Sequence, residues 1–157
     1  MKNKNGFTLI ELLVVVLIIG ILAAMVFPDY QRAVEISRVG SALAYSRAFR
    51  DAVDRYYMAN GRFPSTPDAL DIGVTQCPKY FGCSYYYLSS EGKFDLSRQN
   101  GPFKYGIITR SAVSPYLPGS IYCYAPLSDK KGVEFCQHWG DEATEQSDGA
   151  WFRALIQ

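Results

Sequence analysis

From position 7 to position 27 every residue is apolar or small, except Thr8 and Glu11. A helix rising about 1.5 Å per residue makes such a run long enough to cross roughly 30 Å of hydrocarbon. The segment must therefore sit in lipid or among other apolar helices. Ahead of it lies a short basic leader with Lys2 and Lys4, closed by Gly6. Those lysines favour a cytoplasmic leader and a single pass, with the remaining chain pointing outward. Glu11 is the residue that does not belong. A carboxylate in a membrane segment costs about 2.5–3.5 kcal/mol on insertion scales, so it needs a partner. No Lys, Arg or His lies between Phe7 and Pro28 to supply one. A cut after Gly6 would create one, because the new α-amino group of Phe7 lies at i and i+4 from Glu11. The partner amine can belong to the same helix or to a neighbouring copy, and either points to a cleaved, self-associating protein. A secretory signal peptide cut near Ala23 and Ala24, or a plain anchor, uses neither Glu11 nor a helix that runs on past the cut.

The string Gly6-Phe7-Thr8-Leu9-Ile10-Glu11-Leu12 resembles the class III signal sequence of type IV pilins and type II secretion pseudopilins. The likeness continues through Gly20 and Pro28 into the following helix. It implies cleavage between Gly6 and Phe7 by a prepilin peptidase and N-methylation of Phe7. It implies that Glu11 pairs with the Phe7 amine of an adjacent subunit during assembly. It implies a helix that loosens between Gly20 and Pro28 in the filament; proline lacks the N–H and glycine is a weak helix former. The implied partners are further copies of the chain in a helical filament, the prepilin peptidase, and the pilus assembly platform with its ATPases. The implied location is the inner membrane before assembly and an extracellular pilus, or fimbrium, after it. The likeness is greatest to a type IVa major pilin. A type II secretion pseudopilin, acting as a periplasmic piston, is the alternative.

The implied fold is α+β: a long N-terminal helix against an antiparallel sheet, the pilin fold, with the hydrophobic half of the helix protruding and the amphipathic half packed on the domain. The expected organisation is a leader at 1–6, a transmembrane or filament-core helix at 7–28 and a head at 29–157. Within the head, 29–59 reads as an amphipathic helix. Ile36, Val39, Ala42, Leu43, Phe49, Val53 and Tyr56 recur there at three- and four-residue steps. Asn60 and Gly61 stop it. The string Tyr56-Tyr57-x-x-Asn60-Gly61-x-Phe63-Pro64 also resembles a post-helix pattern shared by pilins and pseudopilins. A connecting loop is expected over 60–83, with a turn of helix started by Thr66, Pro67 and Asp68. Strands are expected at 84–88, 94–96, 103–110, 121–125 and 133–137. The last two form a hairpin around Asp129-Lys130-Lys131-Gly132. Residues 140–149 read as a polar loop, and 151–156 as a last strand or docked tail.

Once Lys2 and Lys4 are removed, 14 cations face 15 anions, a side-chain charge of −1 that gives no general attraction for nucleic acid or anionic lipid. Lys130 and Lys131, with Tyr122, Tyr124 and Phe135 nearby in sequence, are the candidate DNA contact, but two lysines do not support one. Four cysteines beyond a membrane segment point to an oxidising compartment. They allow three connectivities. Local pairing, Cys77 with Cys83 and Cys123 with Cys136, is favoured, the second tying the arms of the predicted hairpin. The pilin likeness implies that a C-terminal disulfide bounds the exposed variable region, and Cys123 and Cys136 fit that role.

No cofactor or metal is expected. The cysteine spacings are not C-x-x-C, and His138 is the single histidine. Asp141, Glu142, Glu145 and Asp148 form an acidic stretch with no calcium-loop spacing, so a solvated loop is expected. No nucleotide motif and no G-x-S-x-G is present, so a membrane-anchored enzyme has no visible catalytic constellation.

Overall fold

In the computed structural model the described residues are 7–73, 76–140, 146–147 (backbone only) and 149–156. The chain divides into two compact units, Met1–Val39 and Gly40–Gln157.

The first unit is helical from Leu9, and helix α1 (Leu9–Asn60) continues into the second. Every residue from 7 to 30 is exposed. The helix runs unbroken through Gly20 and Pro28.

The second unit is an antiparallel sheet with helices against it, an α+β arrangement. Its strands are β1 (Phe81–Ser84), β2 (Lys93–Arg98), β3 (Gly106–Arg110), β4 (Ile121–Pro126), β5 (Gln146–Ser147) and β6 (Trp151–Leu155). Their spatial order is β1-β2-β3-β4-β6-β5, with antiparallel neighbours throughout. Strict alternation buries Phe94 and Leu96 on β2, Ile121, Cys123 and Ala125 on β4, and Phe152 and Ala154 on β6. One face of the sheet is therefore core, as a period of two requires. The stripe Ala42, Leu43, Phe49, Ala52 and Val53 of α1 is buried. Phe49 is central, its ring 4.3 Å from Phe94 and 5.2 Å from Tyr85. The Tyr45 and Tyr85 hydroxyls meet at 2.8 Å.

The helix also pins the loop at 111–119. Asp54 accepts the Ser111 hydroxyl and, at 3.0 Å, the Ala112 N–H. Arg50 donates to the Gly119 carbonyl at 3.1 Å. At the helix end Gly61 turns left-handed (φ 67°) and donates to the Tyr57 carbonyl, while the Tyr57 and Phe63 rings pack at 4.7 Å. A 3₁₀ turn, Pro67–Ala69, follows Thr66, whose side chain makes no cap bond.

The structure corrects five expectations. The Tyr-rich strand expected at 84–88 is instead the end of β1, a turn, and a one-turn helix α2 (Leu88–Glu91) closed by left-handed Gly92. Strand β1 begins at Phe81, so the connecting loop ends before 83. Tyr85 leaves the strand to reach Tyr45 and Phe49, and Leu88 is fully buried; those contacts outweigh β propensity. The strand expected at 133–137 is part of helix α3 (Lys130–Trp139), whose buried residues Gly132, Phe135 and Cys136 share one helical face. Strand β3 starts at Gly106, leaving Phe103 and Tyr105 to stack on Phe135 at 5.1 and 4.6 Å. Finally, β5 pairs with β6 inside the region expected to be loop.

On the outer sheet face the Tyr124 ring crosses Gly106, where any Cβ would meet it, and its hydroxyl donates to Asp95 at 2.8 Å. Burial first, and the Asp95 charge next, push the Tyr124 phenol up; burial and the Tyr85 bond do the same for Tyr45. Phenols raised in the folded state give stability that is present below about pH 10 and lost as pH rises beyond it. Tyr124→Phe is expected to cost about 1.5–3 kcal/mol, the range for a hydrogen bond to a charged group. It should also flatten the alkaline loss of stability. Urea melts at neutral pH and above pH 10 measure both, and an unchanged neutral midpoint would refute the assignment.

Candidate functional site

The candidate site is the first turn of α1. Thr8 precedes the helix, and its carbonyl accepts the first helical N–H, from Leu12 at 3.2 Å. The Thr8 N–H and hydroxyl both donate to Glu11 Oε2, at 2.8 and 2.7 Å. In return the Glu11 N–H donates to Thr8 Oγ1 at 3.3 Å. This reciprocal pair is a capping box, which satisfies two donors that every helix start leaves open. The sequence pattern Thr8-x-x-Glu11 signals it. One carboxylate oxygen thus has local partners, and no cation among the described residues bonds to Glu11. Phe7 is 78% exposed beside it. Gly6, Lys2 and Lys4 lie outside the described residues.

Behind this turn Leu9, Ile10, Leu12, Leu13 and the apolar residues onward to Phe27 are exposed. Among the described residues α1 is the one helix long and apolar enough to cross a membrane. No Cβ at Gly20 would meet another atom.

In the head unit, Cys77 is bonded to Cys83 and Cys123 to Cys136. The second bridge ties helix α3 to strand β4, not two arms of a hairpin. Gly132 allows this close approach, since a side chain there would strike the Lys104 carbonyl. Asp129 before α3 accepts the Lys104 N–H at 2.9 Å. Lys130 and Lys131 are exposed in the first turn of α3, but Phe135 is buried, and Tyr124 is engaged by Asp95. The structure therefore does not assemble them into a basic aromatic surface. His138 is exposed in the last turn of α3. Asp141, Glu142, Glu145 and Asp148 lie outside the described residues. Among the described residues no group of three or more His, Cys, Asp or Glu could hold a metal ion.

Residues 1–27 match the family model described as the prokaryotic N-terminal methylation motif. The chain is similar to the fimbrial protein EcpC of Eikenella corrodens, 42% identical over 49% of this chain and 50% of that protein. It is similar to the type IV major pilin protein PilE1 of Neisseria gonorrhoeae, 41% identical over 44% of this chain and 42% of that one. It is also similar to the type II secretion system core protein G of Aeromonas hydrophila, 37% identical over 48% of this chain and 52% of that one. Over just under half its length the chain is thus similar both to fimbrial and type IV pilin proteins and to a type II secretion core protein. It spans about half the length of the curated relatives it matches, and no solved structure matches it. In this pilin-like chain the capping box falls inside the methylation motif, so the turn that carries Glu11 is shaped by the same residues that define the motif.

Proposed function

We propose that this chain is a structural subunit of a type IV pilus and not an enzyme. Residues 1–6 are a leader that prepilin peptidase removes between Gly6 and Phe7, and the Phe7 amine is then N-methylated. Residues 7–28 anchor the subunit in the inner membrane with its N-terminus cytoplasmic, and later form the filament core. Residues 29–157 form the head displayed on an extracellular fimbrium. Assembly uses the platform and its ATPases. Glu11 pairs with the Phe7 amine of the neighbouring subunit, and Gly20 and Pro28 are where the helix gives way when subunits pack.

One observation carries this reading: a fully uncovered apolar helix whose single carboxylate sits one turn from Phe7. Moving from lipid to a bundle of like helices changes hydrophobicity little, so packing and the charged pair must supply the register. The two disulfides suit a head exposed outside the cell. Likeness to the secretion core protein over a similar share of the chain keeps a periplasmic pseudopilin as the second reading.

Mass spectrometry of filaments sheared from cells tests it. An abundant peptide starting at N-methylated Phe7 is the expected result. The same peptide confined to membrane fractions would move the assignment to a pseudopilin. A mature start near Met25 would end the filament reading.

A further inference from the structure

The outer sheet face carries a cluster of cations that is separate from the first turn of α1. The register of β2 and β3 sets Lys93 directly opposite Arg110, and β6 brings Arg153 to the same side beyond Tyr122 and Tyr124 of β4. These three cations line one cavity together with Ile108, Leu117 and Tyr122. Like charges placed directly opposite across a sheet are unfavourable. No carboxylate lines this cavity among the described residues. Of the nearby acids, Asp95 is held by the Tyr124 hydroxyl, and Glu91 lies on the neighbouring rim with Tyr87 and Tyr116.

Two details concern Arg110 and Lys93. Among the described residues the Arg110 Nε is buried without a hydrogen-bond partner, although buried donors are nearly always paired. The Lys93 ammonium is fixed 4.2 Å above the Tyr87 ring. Burial first, and Arg110 next, lower its proton affinity, so its charge is held there at a cost.

We propose that this cavity binds a tetrahedral oxyanion, a phosphate or sulfate group, between Lys93, Arg110 and Arg153. Arginine forks and a lysine point charge suit such a group. The three cations converge on one cavity and do not follow a line, which suits a single multiply charged group over a phosphodiester ladder. The site is independent of the filament reading, since it lies wholly within the head unit.

The test uses the full-length chain in detergent, melted in sodium phosphate, sodium sulfate or sodium chloride at equal ionic strength. Saturable stabilisation by phosphate or sulfate beyond chloride is expected, because a ligand bound only to the folded state shifts unfolding by mass action. Lys93→Gln and Arg110→Gln should each weaken apparent affinity by about tenfold or more, as losing a charge-assisted bond does. Lys93→Arg should keep it. A melting shift equal to that in chloride, or one unchanged in both glutamine variants, overturns the site. A sugar phosphate or sugar sulfate that binds more tightly than the free ion identifies a glycan-borne group as the ligand; equal affinity identifies the free ion. Much tighter binding of a thymidine oligonucleotide, with a salt dependence of several phosphates, overturns the single-group reading.

Discussion

Glu11→Ala is expected to insert in the membrane and be cleaved normally, yet to leave the cell surface nearly bare of filaments. Gly6, Phe7 and the apolar run are unchanged by this substitution, so insertion and cleavage are expected to continue. What is lost is the one carboxylate in the segment, which is the partner of the neighbouring amine if the proposed pairing holds. A charge left unpaired in apolar surroundings is strongly disfavoured, so each added subunit carries the penalty. Glu11 also closes the capping box with Thr8, so alanine alone confounds two roles. Glu11→Gln separates them. Glutamine can complete a capping box but carries no charge. If the ion pair sets register, the glutamine variant assembles as poorly as alanine. If it restores abundant sheared filaments, the cap is the function of Glu11 and the pairing is refuted.

The second large effect is expected at the Cys123–Cys136 bridge. Replacing both cysteines with alanine should destabilise the head by about 2–4 kcal/mol, the usual return from closing a loop of this size. Both sulfurs are buried, and the bridge fastens α3 to the central strand β4. Phe135 stays packed on Phe103 and Tyr105, so α3 should remain docked, with lower stability but a native spectrum. The Cys77–Cys83 pair spans a sequence separation of 6 against 13, so its removal should cost less. Urea melts of the two double variants decide this. Equal midpoints for the wild type and the Cys123/Cys136 variant would show that the packing alone holds the helix.

Much of the head was legible where patterns are long. The helix from Leu9 to Asn60, its stop at Gly61 and the alternation of β4 follow from periodicities that many residues share. Short segments were not legible. Phe135 reads equally well as the middle of a five-residue strand or as one face of a helix, because so few residues cannot distinguish a period of 2 from one of 3.6. The candidate first turn was half legible. Glu11 stands out as a charge in an apolar run, while Thr8, a small polar residue, gives no comparable contrast.

By itself the sequence determined the processing motif, the membrane-length helix and the isolated carboxylate. Each depends only on neighbours along the chain, so no partner is needed to read it. Tertiary structure alone decided that 133–137 is helical, since Gly132 against the Lys104 carbonyl and Cys136 against β4 settle that choice. It alone decided that Tyr85 turns from its strand to meet Tyr45 and Phe49. It also gathered Lys93, Arg110 and Arg153 around one cavity. Strand register, which the order of residues does not display, brings together charges up to 60 positions apart.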